Sequence, residues 1–251
     1  MSIYDSARLA AAYAFQRPAV HRHVIRAVAT RLGVTTPVAR ALDVGCGAGL
    51  STAALEPLAH ESVGLEPIAT MLAHRRDVAP RARFVIGRAE SLPFVAGSFD
   101  LLTAAGSLNY VDPDRFLPEA ARVLAPTGVL VIYDFSAGRR LPGDDRLDQW
   151  FTAFERRYPF APGYDLDVQQ LPYGRFGLAL RSYDPLQVAV RMTLDTYLPY
   201  AMSETSVEAA LARGVQEPEI REWCQSTLTA VFADRPREVL FDAYFACVRR
   251  T

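Results

Sequence analysis

Residues 41–49, Ala41-Leu42-Asp43-Val44-Gly45-Cys46-Gly47-Ala48-Gly49, decide how this chain folds. The first four form a short, mostly apolar run that reads as a buried strand. The three glycines then turn the chain, and residues 50–59 read as the helix that follows. Glycine lets such a turn bend tightly, and it lets a ligand approach main-chain N–H groups that a β-carbon would obstruct.

Working outward, the same alternation repeats. Residues 62–65 read as a strand, 68–76 as a helix, 83–86 and 99–104 as strands, 113–124 as a helix, and 128–135 as the most hydrophobic strand of all. This spacing predicts an α/β fold with a doubly wound, mostly parallel sheet. Upstream, Val20, Val24, Val28 and Leu32 recur every four residues between Pro18 and Gly33. That is the stripe of a helix packed by one face, with Gly33 as its stop. Downstream the rhythm breaks. Residues 137–177 carry Pro142, Gly143, Trp150, Pro159, Pro162 and Pro172, an insertion over the sheet edge with short helices expected around 146–158. Long structureless loops are uncommon in compact domains unless they act as lids. Residues 178–192 read as a strand interrupted by Pro185, residues 193–200, 207–213 and 218–232 as helices, and 242–249 as a last strand. The expectation is one domain over 1–251, with its core at about 36–136 and a cap from 1–35, 137–177 and 193–235.

The 251 residues are 50% hydrophobic and 22% charged, with a formal net charge of −1. Such a balance offers no electrostatic argument for nucleic acid, which calls for a basic face. Every basic side chain other than histidine is arginine, so lysine nucleophiles are excluded. Cys46, Cys224 and Cys247 lack the paired spacing of a zinc site or a disulfide framework, which fits a reducing, cytoplasmic setting and no metal. Residues 1–14 mix Asp5 and Arg8 among apolar residues, unlike a signal peptide or membrane anchor. The expected partner is a small molecule, with no nucleic acid and no membrane, for a monomer or homodimer.

A dinucleotide loop, G-x-G-x-x-G, would need glycine where Leu50 stands. Here Asp43 precedes Gly45, Gly47 and Gly49, and a carboxylate there suits a cationic ligand better than a pyrophosphate. Glu66, at the end of the next strand, can accept hydrogen bonds from both hydroxyls of a ribose, and that acid alone would also fit NAD.

Asp43 to Gly49 followed by Glu66 resembles motifs I and II of the class I S-adenosylmethionine-dependent methyltransferases. Gly87-Arg88-Ala89-Glu90-Ser91-Leu92-Pro93-Phe94, followed by Ser98-Phe99-Asp100, looks like the adenine-binding turn and fourth strand of the ubiquinone- and trans-aconitate-methyltransferase-like groups. Ala120 to Leu130 is similar to their helix and turn into the fifth strand. The resemblance covers about residues 38–136. It implies a Rossmann-like sheet of seven strands with an N-terminal helical cap and an inserted lid. It also implies S-adenosylmethionine as cofactor, S-adenosylhomocysteine as product, and methyl transfer to an oxygen or nitrogen of a small acceptor. By position, Asp43, Gly45 and Gly47 would surround the methionine part, with Cys46 and Gly49 completing the loop. Glu66 would meet the ribose and Ala89 with Glu90 the adenine edge, while Ala105 would lie beneath the cofactor. Pro67 and Ile68 would pack on the adenine ring or simply begin a helix. Many relatives carry an acid where Arg88 stands, so Glu90 or the backbone must meet the adenine amino group here.

A sulfonium methyl is already activated, so orientation and exclusion of water carry much of the rate, and a protein base is needed only for an acceptor such as a neutral hydroxyl. Tyr13, Arg17 and His21 lie where relatives have a closing N-terminal helix. Ser107, Asn109 and Tyr110 follow the fourth strand, and Tyr200 belongs to the cap. His21 and Asn109 are the catalytic candidates. His21 shares a helical face with Ile25 and Val28, which fits a packing role too, and Asn109 stands where relatives often have histidine. The Arg17 fork suits an acceptor carboxylate or an interhelix contact. An aromatic-rich cap suggests a partly apolar acceptor. The alternative function is cofactor binding without methyl transfer, because fold does not dictate chemistry.

Overall fold

Seven strands carry the alternation into one sheet: β1 (Val38–Val44), β2 (Ala59–Glu66), β3 (Arg83–Ile86), β4 (Phe99–Ala105), β5 (Leu124–Phe135), β6 (Leu178–Met192) and β7 (Arg237–Arg250). Their order is β3-β2-β1-β4-β5-β7-β6 in this computed structural model, which describes residues 3–160 and 166–251. Met1 and Ser2 of the N-terminal reading and Pro162 of the insertion lie outside the described residues. The first five strands are parallel, and β7 lies between β5 and β6, antiparallel to both.

The last two strands correct the sequence reading. Pro185 does not interrupt β6; it sits in register opposite Tyr244. As the edge strand, β6 pairs on one side only, and a missing N–H on the open side leaves no ladder bond unmade. Likewise β7 begins at Arg237, five residues earlier than 242.

The helices are α1 (Ala7–Phe15), α2 (Val20–Leu32), α3 (Leu50–Leu55), α4 (Arg75–Val78), α5 (Pro113–Val123), α6 (Arg146–Arg157), α7 (Leu194–Met202), α8 (Thr205–Ala212) and α9 (Glu217–Phe232). Their ends follow local chemistry. The Ser6 hydroxyl caps α1 by accepting the Leu9 N–H, and Asp112 caps α5, with Pro113 in the first turn where its missing N–H is harmless. Gly33 closes α2 in the left-handed conformation. Helix α3 stops at Leu55 because Pro57 has no N–H to continue it. Residues 68–76 are not one helix: a 3-10 turn, Ala69–His74, leads into the single turn of α4. Only Met71 and Leu72 of that segment are buried, and no side chain caps its start, so too little holds a full helix there.

Alternate residues of β5 divide between two cores, as the strand period requires. Val129, Val131 and Tyr133 face α2, α6, α7 and α9, where Trp150, Phe154, Cys224 and Phe232 are buried. Leu130 and Ile132 face α5, with Phe116, Leu117 and Ala120. The insertion is held down near its start. Gly138 donates its N–H to the Tyr200 hydroxyl and accepts that of Tyr197, and a Cβ on it would meet the Phe241 ring at 2.4 Å. The strand order reverses between β1 and β4. In open α/β sheets a ligand crevice forms at that point, beyond the carboxyl ends of the strands.

Candidate functional site

A cavity of about 750 Å³ opens there, within the usual range for a small-molecule site. Its floor is the glycine turn. Gly45 has φ +72°, and a Cβ on it would lie 2.5 Å from that of Ser107, so the turn admits only glycine. Gly47 has φ +53°, and its N–H donates to Glu66 Oε2 at 3.0 Å. Glu66 Oε1 accepts the Ile68 N–H at 3.0 Å, so one carboxylate ties the turn after β1 to the turn after β2. Burial raises the Glu66 pKa, while the two N–H bonds oppose the rise.

Asp43 and Gly49 lie outside the cavity lining. Asp43 is fully buried beneath the turn. Its carboxylate accepts the hydroxyls of Ser51 (2.6 Å), Thr52 (2.7 Å) and Thr103 (2.8 Å), which join β1, α3 and β4. These bonds offset the cost of burying the charge, although burial still raises its pKa. Gly49 precedes α3 and packs on the Phe84 ring. Cys46 does line the cavity, but burial first, then Asp43 and Glu66, push its thiol pKa well up and keep it protonated.

Pro67, Ala89 and Glu90 line one end together with Ile68 and Arg88, and Ala105 lies along the floor. Glu90 Oε1 accepts the Asp112 N–H at 3.3 Å.

Tyr13, Arg17, His21, Ser107, Tyr110 and Tyr200 also line the cavity; Asn109 does not. Asn109 belongs to a 3-10 turn, Leu108–Tyr110, that leaves it half-exposed. The Ser107 hydroxyl donates to the Val44 carbonyl at 2.8 Å, and Tyr110, largely exposed, shares a 2.9 Å hydroxyl contact with Tyr4. Arg17 is an interhelix clamp. It pairs with Glu204 at 3.0 Å, donates to the Ser203 carbonyl at 2.9 Å, and lies over the rings of Tyr13 and Tyr200.

His21 Nδ1 lies 2.9 Å from the Tyr133 hydroxyl, with the ring edge-on to Phe135. Burial, then the Arg17 charge, lower its pKa to about 4, so it is neutral near pH 7. Among the described residues the Tyr133 hydroxyl meets only His21, and burial keeps it protonated. Where the tyrosine donates to Nδ1, the imidazole proton sits on Nε2. His21 therefore stands in the cavity as a neutral imidazole.

Sequence reasoning missed Asp134, Tyr4 and Met71, all in the lining. Asp134 had a usable signal, an acid at the carboxyl end of the most hydrophobic strand. Tyr4 had none.

Residues 42–132 match the methyltransferase-domain family. The resemblance at the glycine turn and Glu66 is carried into β5, as far as residue 132, by that match. Over that stretch, 42–132, the chain is similar to methyltransferase domains. An uncharacterised methyltransferase of Mycobacterium bovis is 38% identical to the chain over 91 residues, 36% of the chain and 37% of the relative. The chain spans less than half the length of the curated relatives it matches. In structure, the chain resembles a proposed type II methyltransferase from Anaeromyxobacter dehalogenans, with TM-score 0.71, 23% identity, and coverage of 90% of this chain and 95% of that one. The [4+2]-cyclase SpnF superposes with TM-score 0.55 at 21% identity, over 92% and 81% of the two chains. Both likenesses concern the fold: a seven-stranded α/β sheet with helices on both sides. Among the described residues no helix is long and apolar enough to cross a membrane.

Proposed function

We propose that the chain binds S-adenosylmethionine in this cavity and transfers its methyl group to an oxygen or nitrogen of a small-molecule acceptor, leaving S-adenosylhomocysteine. The observation that carries the reading is the Gly45 to Gly47 turn, bound by its own N–H to the Glu66 carboxylate at the head of a cavity of the right size. A Cβ at Gly47 would lie on the approach to that backbone, with only Met71 Cε within 4 Å, at 3.6 Å. The main chain at Gly45, Cys46 and Gly47 is suited to the amino-acid part of the cofactor. The lone pairs left on Glu66 suit the ribose hydroxyls, and Pro67, Ile68, Ala89 and Glu90 suit the adenine.

The bound cofactor supplies an electrophilic methyl on sulfur. The chain's own work is to orient the acceptor and keep water away. Tyr13, Tyr110, Tyr200 and Phe135 give that part of the cavity apolar walls, His21 offers a neutral N–H, and the Arg17 clamp holds the N-terminal segment over the opening. Cofactor binding without methyl transfer is a second reading, favoured by the likeness to a cyclase.

Incubation with methyl-labelled S-adenosylmethionine and a small-metabolite extract separates the two. The expected result is one labelled methyl on an extract component. Cofactor binding with no labelled product in any extract would leave only the second reading.

A further inference from the structure

We propose that the acceptor is a primary or secondary amine on an apolar body, and that the Asp134 carboxylate takes its ammonium end. This rests on the methyl-transfer reading and names the atom methylated.

Three acids line the cavity: Glu66, Glu90 and Asp134. Both oxygens of Glu66 already accept backbone N–H groups, and Glu90 accepts that of Asp112 at the adenine end. Asp134 is differently placed. Its Oδ1 accepts the Phe135 N–H at 2.8 Å, and its Oδ2 has no hydrogen-bond partner among the described residues. The side chain stands at the carboxyl end of β5, with Oδ1 3.0 Å from where a Cβ on Gly106 would lie, next to Ala105 and Ser107. Burial raises its pKa, an unfavourable state that a bound cation relieves. Two arginines line the cavity, Arg17 and Arg88, and neither pairs with Asp134 among the described residues; Arg17 is neutralised by Glu204 and held by Ser203. An acceptor carboxylate at Asp134 would meet a like charge, and an alcohol would bring no charge to match it.

The step balances. The ammonium gives one proton to Asp134 Oδ2, and the neutral nitrogen forms a bond to the methyl carbon with its lone pair. The carbon–sulfur bond breaks with its electrons left on sulfur, the product leaves as the methylated ammonium, and Asp134 returns its proton to water.

The test is calorimetric titration of the chain, first with S-adenosylhomocysteine alone and then, saturated with it, with 2-phenylethylamine, 2-phenylethanol or 3-phenylpropanoate. The amine should bind about tenfold more tightly than the alcohol, the gain from one charged hydrogen bond, and the propanoate should bind most weakly. Asp134→Asn should erase the preference while keeping wild-type affinity for S-adenosylhomocysteine. Asp134→Glu, which keeps the charge, should retain it and covers the case in which the asparagine variant fails to fold. Equal binding of alcohol and amine, no amine binding, or an unchanged preference in Asp134→Asn each overturn the proposal while leaving the cofactor reading intact. Failure of the wild type to bind S-adenosylhomocysteine overturns both.

Discussion

Gly47 holds a left-handed backbone conformation with open space beside it, and the two properties separate folding from binding. Gly47→Arg costs about 1–2 kcal/mol of backbone strain, yet its side chain enters the cavity rather than the core. The expected outcome is a folded protein, by circular dichroism, with no measurable affinity for S-adenosylmethionine; unchanged affinity would count against the proposed seat. His21 provides a second test at this scale. Below its ordinary pKa of 6.5 the unfolded chain takes up a proton that the folded chain refuses until about pH 4. Stability is therefore complete above pH 6.5 and declines as pH falls from there to about 4, by about 3 kcal/mol across the window. Urea denaturation should show wild type losing stability more steeply than His21→Asn over that range, and parallel curves would contradict the buried neutral imidazole. Glu66, Gly45 and Gly47, which line the cavity, could be picked out because their spacing follows the chain. Asp43 was legible as important, but its bonds to three hydroxyls were not, since they come from two other elements. The Tyr133–His21 contact spans 112 residues and leaves no local trace.

At the scale of elements, the N-terminal segment is held by two arginine clamps. Arg17 pairs with Glu204, and Arg8 with Glu208 and the Met202 carbonyl, joining α1 and its exit to the α7–α8 junction. The Arg17 pair is mostly buried, so removing one partner leaves the other charge stranded. Arg17→Met should destabilise the protein by about 3 kcal/mol, whereas Arg17→Met with Glu204→Met should recover most of the loss. Chemical denaturation of the two single variants and the double variant measures this, and additive losses would show that the pair is not coupled. The periodic helices were readable because amphipathic stripes and caps are local. The 3-10 turn after β2 was not, since its sequence looks helical and only its short buried stretch decides the outcome. The pairing of Pro185 in β6 was hidden for a different reason: proline breaks a central strand and not an edge, and strand order is a long-range property.

For the whole molecule, the parallel half of the sheet was visible in the alternating pattern. Tyr13, Tyr110 and Tyr200 were picked out by their position alone, whereas Tyr4 and Asp134, which line the same cavity from distant parts of the chain, were not. Such a site couples binding to global stability. S-adenosylhomocysteine at about a hundred times its dissociation constant should add about 2.7 kcal/mol to unfolding and raise the melting temperature. The most direct test of the account is isothermal titration of the chain with S-adenosylmethionine and, separately, with NAD. The account predicts one saturable site for S-adenosylmethionine and no heat of binding for NAD. Binding of NAD with none of S-adenosylmethionine would contradict it.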